Sequence, residues 1–263
     1  MTVNEEERRR TVQTENLTEI TDRMSYDYTK IRENIWQITD DDGVRCTLVQ
    51  GRDLAALIDT GYGKRDLRAF VEKSIHTPYI VINSHGHPDH IGGNDRFDVV
   101  YAAKEEWDVI RHFEENRPCS YQLKEIRPGK RISLGDIHLN VISLAGHTKG
   151  SIGFTVEEEK LLIVGDALNE VLWLFNYGSL SMRQLYATII ETLKLDFDSY
   201  LCGHSDQEYP KAKLRSHLAN IERLVTDNKT PQTLLGFETY QSTYEDKNGR
   251  SEIVFTLDKV EKA

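Results

Sequence analysis

Four side chains that can bind a metal ion lie within six residues of one another, at His85, His87, Asp89 and His90. They come directly after the apolar run 79–82, which predicts a buried strand ending at a polar loop. His85 and His87 are one residue apart and can point the same way in an extended turn, whereas Asp89 and His90 can address a second point nearby. We therefore predict two metal positions rather than one, with a polar loop of coincidental histidines as the alternative.

Further metal-binding side chains follow other strand-like segments. His147 lies in a glycine-rich turn, and Asp166 and His204 each come at the end of an apolar run. A carboxylate at the end of a buried strand needs a partner, because desolvating an unpaired charge is expensive. The predicted ligands of one ion are His85, His87 and His147, and those of the other are Asp89, His90 and His204, with Asp166 as the bridge.

Composition disfavours several classes of partner. The chain has 263 residues, 38% hydrophobic and 29% charged, which is typical of a globular protein with a substantial core. A net charge of -10 disfavours nucleic acid and anionic membranes, because binding to either depends on Lys and Arg. No apolar run is long enough to span a membrane, and residues 1–10 lack the apolar stretch of a secretory signal. Three distant cysteines, Cys46, Cys119 and Cys202, indicate a reducing compartment, so we predict a cytoplasmic protein.

Hydrophobic periodicity predicts strands inside and helices outside. We predict a charged N-terminal extension over 1–25 and a single domain over 26–263. The predicted strands lie at 35–38, 44–49, 54–58, 79–82, 99–102, 131–134, 137–142, 152–156, 161–164 and 197–204. The predicted helices lie at 64–75, at 105–115, from a cap at Ser179 or Ser181 to 195, and at 211–225. Two β-rich halves flanked by helices predict an α+β protein with a four-layer αββα sandwich.

Five short blocks, in this order, resemble the metallo-β-lactamase superfamily of binuclear metal hydrolases, in particular its glyoxalase II and lactonase-like branch. The blocks are Ala56–Gly61, the His-x-His-x-Asp-His run from His85 to His90, Gly146–Thr148, Gly165–Asp166 and Gly203–His204. The resemblance covers about residues 34–226 and implies the αββα sandwich. It also implies that Asp59 steadies the metal site from behind the ligands.

The ligand set and the resemblance predict a hydrolase with two divalent metal ions. Zinc is favoured, with iron or manganese as alternatives. A hydroxide bridging the ions would attack a carbonyl, and Asp89 would be the catalytic residue that orients it. A small thioester, lactone or related acyl compound is the favoured substrate, because the chain is acidic and shows no signal peptide. A metal-dependent phosphodiesterase and a non-enzymatic metal-binding protein are the alternatives.

Candidate substrate-binding residues follow the predicted bridge. Trp173, Phe175 and Tyr177 form an aromatic segment that would line a pocket, with core packing as the alternative. Tyr62 and Lys149 are the other two candidates. The sequence leaves homo-oligomerisation and the role of residues 230–263 open.

Overall fold

The computed structural model describes residues 26–115, 119–224 and 230–260, so the predicted extension over 1–25 lies outside the described residues. The strands are β1 (Asp27–Arg32), β2 (Ile35–Thr39), β3 (Arg45–Gln50), β4 (Ala55–Ile58), β5 (Tyr79–Ile82), β6 (Val99–Ala102), β7 (Gln122–Glu125), β8 (Arg131–Ser133), β9 (His138–Ser143), β10 (Ile152–Val156), β11 (Leu161–Ile163), β12 (Val171–Leu174), β13 (Ser199–Leu201), β14 (Tyr209–Pro210), β15 (Thr230–Leu234), β16 (Phe237–Asp246) and β17 (Gly249–Phe255). The helices are α1 (Leu67–Ser74), α2 (Pro88–Ile91), α3 (Trp107–Glu114), α4 (Met182–Thr192) and α5 (Leu214–Leu224).

Two large sheets pack face to face. The first has the order β1-β2-β3-β4-β5-β6-β7 and the second β14-β13-β11-β10-β9-β8. Their inner faces share one buried cluster, in which Ile58 and Ile82 of the first sheet meet Phe154 and Ile163 of the second. Every residue of β10 is buried, as expected for a central strand with apolar layers on both faces.

Helices cover the outer faces of both sheets and complete the predicted αββα layers, which confirms the predicted fold class. Leu67 and Val71 of α1 share a buried cluster with the first sheet, while Leu185 of α4 and Leu218 of α5 share another with the second. Ser181, one of the two predicted caps, begins α4, and its Oγ accepts a hydrogen bond from the backbone N–H of Gln184.

A third sheet, of order β12-β17-β16-β15, packs beside α5 and was not predicted. The aromatic segment after Asp166 was predicted as a connection, but its first part forms β12. Leu172 and Leu174 of this strand are buried and Trp173 between them is half-buried, as strand alternation requires. Leu172 and Leu174 join the buried cluster that α4 and α5 form with the second sheet.

None of the described helices is long and apolar enough to cross a membrane.

A buried polar cluster joins α5 to the third sheet. His217 Nδ1 lies 2.8 Å from Ser251 Oγ, and no described residue partners its Nε2. Asn220 Nδ2 donates to the carbonyl oxygens of Ser242 and Ser251. Burial lowers the pKa of His217 to about 3, and the nearby Lys213 acts in the same direction. Between about pH 3 and pH 6.5, His217 is therefore neutral in the folded protein but protonated in the unfolded chain.

We predict that His217 makes the protein acid-sensitive. Its contribution to stability is present above pH 6.5, the unperturbed pKa, and is lost as the pH falls towards 3. Between pH 7 and pH 4.5, the unfolding free energy of the wild type should fall by about 2 kcal/mol more than that of His217→Gln. Urea denaturation in the presence of a chelator measures the unfolding free energy of both proteins. Equal losses in the two proteins would contradict the assignment of the acid sensitivity to His217.

Candidate metal centre

All seven predicted metal ligands meet at one edge of the sandwich. Asp59 follows β4, and His85 follows β5, which runs parallel to β4. Asp166 follows β11 and His204 follows β13, which is parallel to β11. Because the carboxyl ends of parallel strands lie at the same sheet edge, their loops deliver these side chains to a common place.

The first group consists of His85, His87 and His147, whose candidate ligand atoms lie within 4.8 Å of one another. His87 Nε2 donates to the carbonyl of Tyr177 at 3.1 Å, and His147 Nδ1 donates to the carbonyl of Trp173 at 2.8 Å. The remaining nitrogens, His87 Nδ1 and His147 Nε2, face each other at 2.9 Å. These hydrogen bonds leave a lone pair on each facing nitrogen.

His85 completes this group in the same way. Ser84 Oγ donates to Asp59 Oδ2 at 2.7 Å, so the His85 Nδ1–H donates to Ser84 Oγ and leaves a lone pair on Nε2. His85 Nε2 is buried, with no partner among the described residues. Burial lowers the pKa of His85 and His147, and lowers that of His87 to about 3. Three neutral imidazoles therefore direct lone pairs into one small space, and this fits a divalent cation.

The second group consists of Asp89, His90, Asp166 and His204. His90 Nε2 lies 3.3 Å from Asp166 Oδ1, and His204 Nε2 lies 3.0 Å from Asp166 Oδ2 and 3.2 Å from Asp89 Oδ2. Burial opposes the charged form of His204, but Asp166 and Asp89 outweigh it and raise its pKa to about 9. A divalent cation would compete with protons for these same side chains.

Asp166 lies between the two groups. Its Oδ2 is 3.9 Å from His147 Nε2 in the first group, as well as close to His204 in the second. Its Oδ1 is buried and accepts no hydrogen bond from the described residues. This is the position that a bridging carboxylate would occupy.

Asp59 is hydrogen-bonded to His90 of the second group and, through Ser84, supports His85 of the first group. Its Oδ1 accepts from the backbone N–H of Ser84 at 2.7 Å, and its Oδ2 accepts from Ser84 Oγ and from His90 Nδ1 at 2.9 Å. Asp59 thus directs His90 Nε2 towards the carboxylates and holds His85 through Ser84. Its left-handed backbone, with a φ of 66°, is unusual for a residue other than glycine.

Glu106 is a buried carboxylate that sequence reasoning missed. Its Oε1 accepts from the backbone N–H of Gly86, between His85 and His87, and its Oε2 accepts from that of Gly150, each at 2.8 Å. One side chain therefore ties together the two loops that carry the first group. Burial raises the pKa of Glu106 to about 7, although these donors act to lower it. A Cβ at position 150 would lie 2.6 Å from Oε2, so only glycine allows this approach.

A cavity of about 480 Å³ opens beside both groups. Its lining residues are Tyr62, Asp89, His147, Asp166, Asn169, Glu170, Val171, Trp173, Asn176, Cys202, His204, Ser205 and Leu235. Burial raises the pKa of the Cys202 thiol to about 12, so it is protonated at neutral pH.

Two of the five candidate substrate-binding residues, Tyr62 and Trp173, line this cavity. Phe175 is buried against Trp173, with ring centroids 5.2 Å apart. The ring of Tyr177 stacks on His112 at 3.9 Å. Lys149 is ion-paired with Asp108 and is absent from the cavity wall.

Residues 39–204, more than half of the chain, match the profile of the metallo-beta-lactamase superfamily. This chain belongs to the metallo-beta-lactamase superfamily. The predicted family is therefore confirmed. A metallo-beta-lactamase from Pontibacter korlensis superposes with a TM-score of 0.61 at 18% identity, covering 75% of this chain and 99% of that one. At that identity the likeness supports the fold alone.

Two curated proteins that match this chain are hydrolases by name. Acyl-coenzyme A thioesterase MBLAC2 of Homo sapiens is 28% identical over 174 residues, covering 52% of this chain and 58% of that protein. A hydroxyacylglutathione hydrolase of Erythrobacter litoralis is 34% identical over 113 residues, covering 43% of each. The chain thus spans about half the length of these relatives.

We predict that Asp59→Asn weakens binding of the ion in the second group more than in the first. Asparagine tolerates the left-handed backbone, but its amide supplies two N–H donors where Ser84 and His90 need acceptors. We expect affinity for the second ion to fall by about 10- to 100-fold, measured by metal titration and elemental analysis. Asp53→Asn, at the opposite end of β4, is the control, and equal affinities in these two variants would refute the orienting role of Asp59.

We also predict that Glu106→Gln loosens both histidine loops. The amide nitrogen would face a backbone N–H, so one donor loses its acceptor and the folded state loses about 1–3 kcal/mol. Thermal unfolding and competition with a zinc-chelating dye should both show the loss. Glu105→Gln, at the exposed neighbouring position, should behave as the wild type. If the two variants match, Glu106 does not tie the loops together.

Proposed function

We propose that this protein is a hydrolase that uses two divalent metal ions to cleave an acyl bond in a small molecule, with a thioester or lactone as the substrate. The observation that carries this proposal is the convergence of two ligand groups on one cavity. One group presents three neutral imidazole lone pairs, and the other presents two carboxylates and two imidazoles. Five imidazoles and two carboxylates favour zinc, with iron or manganese as alternatives.

Bound ions would supply Lewis acidity and lower the pKa of a water molecule towards neutrality. The protein's own contribution starts with Asp89, which lines the cavity and lies 3.2 Å from His204 Nε2. Burial acts to raise the pKa of Asp89, but His90 and His204 outweigh it and hold the pKa well below its usual value. Asp89 is therefore ionised at neutral pH, and it would accept a hydrogen bond from the attacking nucleophile and orient it.

Tyr62 would act on the substrate as a donor. Its side chain lines the cavity, and burial, reinforced by Asp89, raises its pKa above the usual value. The hydroxyl therefore keeps its proton at neutral pH. We propose that it donates a hydrogen bond to the substrate carbonyl or to the leaving group.

The relatives support an acyl substrate. The names acyl-coenzyme A thioesterase and hydroxyacylglutathione hydrolase both describe an acyl group carried by a thiol compound. The cavity beside the ligand groups offers apolar contacts from Val171, Trp173 and Leu235, which suit the carbon chain of an acyl group. A phosphodiester would bring a negative charge next to Glu170, which lines the cavity outside the ligand groups, and like charges repel each other.

We further propose that residues 26–263 act as one domain. Ile253 and Phe255 of β17 share a buried cluster with Leu162 of the second large sheet. Separating the third sheet would expose this apolar surface to water, which is unfavourable.

We predict that Asp89→Asn lowers turnover at least about a hundredfold while the protein remains folded, because the amide cannot hold the nucleophile as an ionised carboxylate does. Hydrolysis of acyl thioesters, lactones and phosphodiesters is measured, with circular dichroism for the fold. Asp98→Asn, at a carboxylate that is 89% exposed, is the control. Chelation should abolish the wild-type activity and zinc should restore it.

Full activity in Asp89→Asn would refute the role of this residue. Turnover of phosphodiesters alone would replace the acyl proposal with a phosphodiesterase. If the zinc-loaded protein hydrolyses none of these substrates, the hydrolase proposal is refuted and the alternative of a non-enzymatic metal-binding protein replaces it.

A further inference from the structure

The hairpin of β15 and β16 ends in a turn whose sequence does not suit its backbone. Leu234 pairs with Phe237, so the turn consists of Leu235 and Gly236 alone. Both have positive φ, 50° for Leu235 and 83° for Gly236. Two-residue turns of this kind favour Asn, Asp and Gly, because a branched side chain is strained in the left-handed region. Turn formation therefore does not explain leucine at position 235.

Core packing does not explain it either. The side chain of Leu235 is 67% exposed and belongs to none of the buried clusters of the described residues. It does line the cavity that Asp89, Asp166 and His204 also line. Contact with a ligand in the cavity would account for an apolar residue that is both strained and exposed at this position.

Apolar side chains connect this turn to the metal centre. Phe237 is 44% exposed and lies against Phe175, with ring centroids 5.7 Å apart. Phe175 in turn lies 5.2 Å from Trp173, a cavity-lining residue whose carbonyl accepts from His147. We call Trp173, Phe175, Leu235 and Phe237 the apolar ridge. Trp173 and Leu235 line the cavity, whereas the buried Phe175 packs against both Trp173 and Phe237. The ridge leads from a predicted metal ligand to the hairpin turn.

The charges of the cavity show which part of a substrate this ridge suits. The lining residues include the carboxylates of Asp89, Asp166 and Glu170, and no Lys or Arg. Outside the two ligand groups, Glu170 is the only charged residue among the lining residues, so an anionic carrier group there would meet a like charge. An uncharged alkyl chain would instead transfer apolar area from water to contact with the ridge.

We propose that the apolar ridge is a subsite for the alkyl chain of the acyl group, so that the enzyme prefers thioesters of longer, unbranched acids to acetyl thioesters. This inference rests on the acyl hydrolase function proposed above. In the reaction, water oxygen bonds to the carbonyl carbon and the carbon–sulfur bond breaks. The acid keeps the oxygen and the departing sulfur takes a proton from water. The alkyl chain contacts Trp173 and Leu235, the two ridge residues that line the cavity, and ends at Leu235.

The test is a series of thioesters from acetyl to decanoyl on one uncharged thiol, with the zinc-loaded protein. For the wild type, kcat/KM should rise with chain length by up to about fourfold per added methylene until the ridge is covered. Asparagine suits the left-handed turn, so Leu235→Asn should fold at least as well as the wild type. We expect this variant to lower the decanoyl-to-acetyl ratio of kcat/KM about tenfold.

Leu257→Asn is the matched control, since Leu257 is 51% exposed and does not line the cavity. Its decanoyl-to-acetyl ratio should equal that of the wild type. A flat chain-length profile in the wild type, or an equal loss in the two leucine variants, would overturn the subsite while leaving the acyl hydrolase function intact.

A binding measurement separates the subsite from the reaction. Calorimetric titration of the zinc-loaded protein with butyrate and decanoate should show tighter binding of decanoate, and Leu235→Asn should reduce this difference. If neither thioesters nor lactones are hydrolysed, the proposed function fails, and this titration alone decides the subsite. Equal binding of the two acids by the wild type would overturn it.

Discussion

The buried carboxylate of Asp59 is the interaction on which the arrangement of the centre depends. It accepts three hydrogen bonds, two from Ser84 and one from His90. Through them it orients one imidazole in each ligand group, although its own backbone is held in the left-handed region. A strained conformation persists only where the surroundings determine it, and here the ends of β4 and β5 do so.

The two ligand groups differ in charge because only the second contains carboxylates. The first group holds three imidazoles in a site so poorly solvated that they remain neutral. The second group combines imidazoles with Asp89 and Asp166, which stabilise positive charge there. Glu106 supports the first group without entering it, because its two oxygens are occupied by the backbone of the two loops. Both carboxylates of the second group, Asp89 and Asp166, line the cavity.

The third sheet contributes residues to the lining of the cavity. β12 carries Trp173, whose carbonyl orients His147, and the hairpin of β15 and β16 carries Leu235. Polar contacts of His217 and Asn220 hold this sheet on α5. Packing that is remote from the ligands therefore places Trp173 and Leu235 in the cavity wall beside them.

The sequence by itself determined the strands with continuous apolar runs, the order of the ligand blocks and the family. Strands β5 and β6 match their predicted bounds of 79–82 and 99–102, because each is a buried run followed by polar residues. The edge strands β1 and β7 were not predicted, since both are mostly exposed and lack that signal.

Only the tertiary structure decided the role of Glu106, the pairing of β12 and the wall formed by Leu235. Glu106 stands in a run of charged residues and is fully buried only because two distant loops close over it. Lys149, a candidate from the same kind of local reasoning, pairs with Asp108 away from the cavity wall. Local patterns specify which segments are buried and where ligands cluster, whereas the packing of the sheets sets which remote side chains share one space.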